Sequence, residues 1–261
     1  MTSEPHAVSL GAGTELLALH GAYSTHAEAI GFLEPALGEH RRRLRRIYPD
    51  LPGMGDSPAD GIASSRAAVD ALERLVDAEL ADAPLLVLGH SFGAHLAQGL
   101  AARRPEQVRG LALLCPLVPS DQHPEPHPPP AVPLPPDAFD DEALRAEFEG
   151  YFVVHDDATV RRFQDAVVPS LGRFDGDAVE AIMRSWQLDP DPRDVAFAHP
   201  VLVMVGRDDS TVGQRQHRAL LEQYPAATAH VVAGSGHALP HERPQLLEAA
   251  LADWIEQSLP A

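Results

Sequence analysis

The chain has 261 residues, enough to bury one large core, and 20 basic residues against 38 acidic ones give a formal net charge of -18. That balance repels phosphate backbones and anionic lipid surfaces, so it argues against nucleic-acid or membrane binding and favours a neutral or cationic small molecule. Every basic residue is arginine, which excludes a Schiff base or a lysine general base, and the lone Cys115 permits no intramolecular disulfide.

The opening Met-Thr-Ser-Glu-Pro-His has neither a basic nor an apolar leader region, and no apolar run approaches the ~20 residues that span a bilayer. The expectation is a cytoplasmic protein, a monomer or homodimer. His6–Leu10 alternates weakly and reads as an edge strand, and Glu15–Leu19 reads as a second strand leading into His20-Gly21-Ala22-Tyr23. A helix follows over His26–Leu37, with Ser24 or Thr25 available as its cap. Leu44–Tyr48 is the third strand. The arginines before and within it (Arg41, Arg42, Arg43, Arg45, Arg46) read as a solvated face near a helix C-terminus, because the overall charge is so negative.

Asp50-Leu51-Pro52-Gly53-Met54-Gly55-Asp56-Ser57 is too rich in Pro and Gly for regular structure and reads as a loop at a strand end. Ser64–Leu80 is periodic at helical spacing. Leu85–Leu88 is a buried strand, and Gly89-His90-Ser91-Phe92-Gly93 turns it into a helix. This Gly-x-Ser-x-Gly pattern is a nucleophile elbow: a Cβ at 89 or 93 would strike backbone, and the serine takes a strained conformation that lifts its hydroxyl clear of the sheet. The helix starting at Phe92 directs its unpaired N–H groups toward any oxyanion formed there. Val108–Leu114 is the next strand, and the alternation predicts a parallel sheet with helices on both faces.

The alternation then breaks. Pro119–Pro136 is dominated by proline, and three helical stripes follow: Leu144, Phe148, Tyr151 and Phe152; Val160, Phe163 and Val167; Val179, Ile182, Met183 and Trp186. Residues 117–196 therefore read as a helical cap inserted in a core formed by 1–116 and 197–261. Tyr23 and the cap aromatics Phe148, Phe152, Phe163 and Trp186 are candidate substrate contacts, with packing inside the cap as the competing role for each cap ring. Val201–Val205, a helix over Gln214–Gln223, Ala229–Ala233 and a closing helix at Arg243–Gln257 complete the core.

An acyl-transfer serine needs a base and an acid that holds that base in the right tautomer. His237, in a Gly-Ser-Gly-His turn after the last strand, is the candidate base among 14 histidines. Its acid is Asp208 or Asp209 in the loop after Val205, with Asp121 as a third possibility. Ser, Asp, His is the chain order of this class of sheet.

The chain resembles the α/β-hydrolase superfamily, in particular small serine esterases with a helical cap inserted after the sixth strand. The resemblance is carried by Leu19-His20-Gly21-Ala22, the Asp50–Ser57 loop, the Ser91 elbow, Gly206-Arg207-Asp208-Asp209, and Gly236-His237 with Glu242-Arg243-Pro244. It implies Ser91 as nucleophile, His237 as base, and Asp209 rather than Asp208 as acid. It also implies an oxyanion hole formed by the N–H groups of Phe92 and Ala22, and no cofactor or metal. Ser91 excludes the epoxide-hydrolase and dehalogenase branches, which use aspartate at the elbow, and Phe92 weakens a proline-iminopeptidase reading. Cleavage of a small carboxylic ester, thioester or lactone is expected. Two alternatives are a carbon–carbon bond hydrolase, whose dianionic substrates would require pocket arginines such as Arg145, Arg161, Arg162, Arg173, Arg184 or Arg193, and a slow or non-catalytic ligand receptor.

Overall fold

The computed structural model describes residues 4–118, 133–135, 137–213, 217–225 and 227–259. Seven strands form one sheet: β1 (Ala7–Gly11), β2 (Thr14–Leu19), β3 (Leu44–Pro49), β4 (Leu85–His90), β5 (Val108–Leu114), β6 (Val201–Gly206) and β7 (Thr228–Val232). Their order across the sheet is β1-β3-β2-β4-β5-β6-β7, with only β1 antiparallel to its neighbour. The chain moves outward from β2 to β3, returns past β2 to β4, and then continues in the opposite direction. The carboxyl ends of β2 and β4 thus flank the point where the winding reverses, which is where open α/β sheets leave a crevice.

The central strands β2, β4, β5 and β6 are rich in Leu and Val because both faces are covered. Leu17, Leu19, Leu85, Val87, Leu111, Leu113, Val201 and Val203 face α2 (Ser65–Leu80) and α3 (Phe92–Arg103). Their neighbours Leu16, Ala18, Leu86, Leu88, Ala112, Leu114, Leu202 and Met204 face α1 (His26–Ala36) and, from the end of the chain, Pro244–Ser258. Thr25 Oγ1 caps α1 by accepting from Ala27 N–H, and Ser64 Oγ caps α2 through Ala67 N–H.

Between β5 and β6 lie α4 (Glu142–Tyr151), α5 (Asp157–Arg162) continued by a π turn over Phe163–Val167, and α6 (Gly176–Arg184). Each helix starts at an aspartate cap, Asp141, Asp156 or Asp175. Phe148, Phe152, Phe163 and Val167 form a separate cluster with Ala238, apart from the two faces of the sheet. Counted along the described chain, these helices follow the fifth strand and not the sixth that the family resemblance implies. The proline-rich entry, Pro119–Pro136, lies almost wholly outside the described residues. After β6 come α7 (His217–Gln223), the short α8 (Leu239–Glu242) and α9 (Pro244–Ser258). Residues 214–216, expected to begin α7, are outside the described set.

The arginine group is less uniform than a solvated face. Arg42 and Arg43 are exposed, but Arg46 is buried on β3, where it pairs with Glu34 at 2.9 Å and donates to the Arg41 and Leu44 carbonyls. Among the described residues, no helix is long and apolar enough to cross a membrane.

Candidate active site

Ser91 sits between β4 and α3 with φ 54° and ψ -117°, the left-handed strain expected of an elbow. Its neighbours must be glycine. A Cβ on Gly89 would lie 2.4 Å from the Gly93 carbonyl carbon, and one on Gly93 would lie 2.3 Å from the His20 carbonyl oxygen. The turn is fastened from the β5 side, since Ser91 N–H donates to Leu114 O at 2.9 Å and Ser91 O accepts from Leu117 N–H at 3.1 Å.

Asp209 and His237 meet at the ends of β6 and β7. His237 Nδ1 is 2.8 Å from Asp209 Oδ2, so Nδ1–H donates to the carboxylate and Nε2 is left as the basic nitrogen. Asp209 Oδ1 accepts from Thr211 N–H at 2.9 Å and Val212 N–H at 3.0 Å. Burial works to raise the Asp209 pKa, but His237 and these two N–H groups hold it below the usual carboxylate range. Asp208 points away: its Oδ2 accepts from Gly234 N–H at 3.1 Å. The third candidate acid, Asp121, lies outside the described residues.

Two further contacts fix the His237 loop. His90 Nε2 donates to the His237 carbonyl at 3.1 Å, and burial, followed by repulsion from His237, pushes the His90 pKa down to about 4, so its ring is neutral. Glu242 Oε2 accepts from Gly236 N–H at 2.7 Å and Ser235 Oγ at 2.9 Å, while Oε1 accepts from Val153 N–H at 2.6 Å and Val154 N–H at 3.0 Å. One carboxylate therefore ties the loop of the candidate base to the turn after α4. On the other side of the elbow, His20 Nδ1–H donates to Gly21 O at 2.7 Å and its Nε2 accepts from Leu51 N–H at 2.9 Å, which sets the course of the Gly21-Ala22 loop.

Ser91, Phe92, Ala22 and His237 line one cavity of about 600 Å³. Among the described residues no hydrogen bond joins Ser91 Oγ to His237 Nε2 and none engages Ala22 N–H; such contacts often tighten only when substrate binds. Of the candidate substrate contacts, Tyr23 and Phe163 line this cavity. Tyr23 is partly exposed and meets Phe174 edge-on at 5.1 Å. Phe148 and Phe152 do not reach it. They stack on each other at 4.8 Å within the aromatic cluster, because Phe148 and Phe152 are four residues apart on one face, while Glu147, Gly150 and Tyr151 line the cavity from the adjoining face. Trp186, past the end of α6, lines a different cavity of about 200 Å³ beside His95. Tyr151, Glu28, Leu117 and Met183 are wall residues that the sequence did not mark as contacts. No arginine lies on the cavity wall among the described residues.

Among the described residues, two groups bring three potential metal-ligating atoms within 4.8 Å of one another: His90 with Cys115 and His237, and His6 with His26 and Asp50. In the first, His90 Nε2 and His237 Nδ1 are committed to hydrogen bonds; in the second, Asp50 accepts from both imidazoles at 3.2 and 2.9 Å.

Residues 16–250 match the Alpha/beta hydrolase family, and the chain belongs to it. It is 30% identical over 235 residues to the biotin biosynthesis bifunctional protein BioHC of Cellvibrio japonicus, a match that takes in 82% of this chain and 43% of that protein. It is 25% identical to esterase YbfF of Escherichia coli, over 80% of this chain and 82% of that one. The matches span 43%, 32% and 40% of the lengths of three curated relatives, so less than half of each. A solved alpha/beta superfamily hydrolase from Oenococcus oeni shares the fold with a TM-score of 0.89 at 21% identity, over 98% of each chain.

Proposed function

We propose that the protein is a serine hydrolase that cleaves a small carboxylic ester, thioester or lactone free of negative charge. Ser91 acts as nucleophile, His237 as base and Asp209 as the acid that orients it. The observation that carries this is the 2.8 Å His237–Asp209 contact on the same cavity as a strained Ser91. Ser91 Oγ attacks the substrate carbonyl carbon while His237 Nε2 takes the hydroxyl proton. The resulting oxyanion is met by the N–H groups of Phe92 and Ala22, which supply preorganised positive dipoles where charge develops. On collapse, the bond to the leaving oxygen or sulfur breaks and His237 returns the proton to it. Water, deprotonated by His237, then attacks the acyl-enzyme by the same route and releases the acid. Asp209 stays ionised throughout and stabilises the imidazolium.

The helices within residues 117–196 act as a cap, with Tyr151 and Phe163 forming the roof of the cavity and the remaining aromatics holding the cap together. A carbon–carbon hydrolase acting on dianions gains no support from a wall that carries no arginine among the described residues. Arg173, Arg184 and Arg193 are instead paired with Asp56, Glu180 and Asp191, and Arg162 donates to the His241 carbonyl.

The test pairs labelling by a fluorophosphonate, located by peptide mass, with turnover of p-nitrophenyl acetate and butyrate. Stoichiometric label on Ser91 together with ester turnover supports the assignment. Absence of both, in folded protein that binds small ligands, leaves the receptor alternative instead.

A further inference from the structure

The cavity wall holds one buried charge that the chemistry at Ser91 does not use. Glu28, on α1, is 7% exposed and lines the cavity together with Ser91 and His237. Its Oε1 accepts from Tyr151 OH at 2.8 Å and from His241 Nε2 at 3.3 Å, and its Oε2 accepts from Ser24 Oγ. Burial works to raise its pKa, but the hydrogen bond and charge of His241, with help from Ser24, bring it down to about 2, so the group is an anion at neutral pH. A carboxylate offers about four lone-pair sites. Three are filled among the described residues, by Tyr151, His241 and Ser24. The other charged residue on the wall is also an acid, Glu147, and most of the remaining wall is apolar, including Phe92, Leu117, Phe163 and Met183. Among the described residues, an anionic acyl chain entering this space would lose its water and meet two carboxylates and no arginine on the wall. A chain ending in an ammonium would meet the preformed Glu28 anion on the cavity wall.

We propose that Glu28 is a specificity-determining residue that selects acyl groups tipped with an ammonium donor and rejects those tipped with a carboxylate. This rests on the reading that Ser91 opens esters in this cavity. It assigns a substrate class that the nucleophile, base and acid do not specify, since none of them touches the far end of an acyl chain.

The experiment measures kcat/KM for the p-nitrophenyl esters of caproic, ε-aminocaproic and adipic acids, which present one acyl chain with an apolar, a cationic or an anionic tip. The wild type should prefer the ammonium-tipped ester to the carboxylate-tipped one by about tenfold or more, the order expected of a charge held in a poorly solvated wall. Glu28→Gln keeps an acceptor and removes the charge, so it should shrink that ratio by about tenfold. A merely structural Glu28 would lower the melting temperature and slow all three esters alike, leaving the ratio unchanged, and that result overturns the proposal. If Glu28→Gln does not fold, the wild-type series decides alone: equal turnover of the adipic and ε-aminocaproic esters overturns it. Failure of the hydrolase reading would look different, with none of the three esters turned over and no phosphonate label on Ser91.

Discussion

On the sheet side of the cavity, Ser91, Ala22 and His237 stand on loops whose course is set by backbone against backbone: Gly89 against Gly93, Gly93 against His20, and Gly206 against Gly236. On the opposite side, Tyr151 and Phe163 arrive on helices that pack around their own aromatic cluster and are tied to the sheet side by a few hydrogen bonds. Tyr151 OH donates to Glu28, and the turn after α4 donates two N–H groups to Glu242. The first wall tolerates almost no displacement, because a methyl group at either elbow glycine meets main chain that has nowhere to go. The second can be re-packed at the cost of stability. Substitutions on the sheet side should therefore abolish chemistry in a folded protein, whereas those on the helical side should alter access or stability while the chemistry survives.

The largest effect sharpens the first half of that contrast. Ser91→Ala should lower turnover by about 10⁴ to 10⁶ with an unchanged circular dichroism spectrum, as loss of a triad nucleophile does. Near-normal turnover in protein verified free of wild type would mean that the strained elbow serves another purpose. Next comes the acid: Asp209→Asn should cost about 10³ to 10⁴ in kcat through loss of the correct His237 tautomer. Asp208→Asn should cost far less, since Asp208 is bonded to Gly234 N–H and not to the imidazole. Reversed effects would show that the two carboxylates exchange roles in solution.

The helical side is tested by a pair of rings that the sequence cannot tell apart. Phe148 is fully buried in the aromatic cluster and off the cavity wall, so Phe148→Ala should destabilise by about 3–5 kcal/mol, read by denaturant titration, and leave the chain-length preference as it was. Phe163 belongs to the cluster and also lines the cavity, so Phe163→Ala should lower stability and in addition raise KM for longer acyl chains relative to acetate. If both variants changed stability and neither changed the chain-length profile, the helices would be scaffolding and not a specificity element.

These contrasts explain what the sequence made legible. The sheet and the elbow turn were readable because each depends on local constraints: Leu/Val runs covered on both faces and glycines where a Cβ meets main chain. The choice between Asp208 and Asp209 was not local. Adjacent carboxylates on one loop point in opposite directions, and only the packing of β7 beside β6 decides which one meets His237. The aromatics Phe148, Phe152, Phe163 and Trp186 share one helical periodicity, and that period does not distinguish a ring facing the cluster from one facing the cavity. Glu28 gave no signal at all: it lies among the buried apolar residues of α1, and its partners Tyr151 and His241 are more than a hundred residues away. Glu242 was visible only as part of a motif, its role as a four-bond tie emerging once Val153 and Gly236 were found on either side of it.

The smallest effect concerns acid stability, and it falls on the sheet side. His90 is buried and held neutral, its pKa pushed down to about 4 from 6.5 by burial and by His237, against the opposing pull of Glu28 and of the His237 carbonyl. Between those two values the unfolded chain binds a proton that the folded chain refuses, so stability rises with pH there. The contribution is fully present above about pH 6.5 and is lost as pH falls toward 4. Burial also lowers His20 and His95, which adds to the slope in the same direction. Glu28 acts in a lower window: its folded value of about 2 lies below the ordinary 4.5, so its stabilisation is lost only as pH falls from there toward 2. Denaturant midpoints measured from pH 7 to 4 should therefore slope downward, and His90→Gln, which retains a donor for the His237 carbonyl, should reduce proton uptake on unfolding by about one. An unchanged slope would mean that the elbow histidine already takes its proton in the folded state.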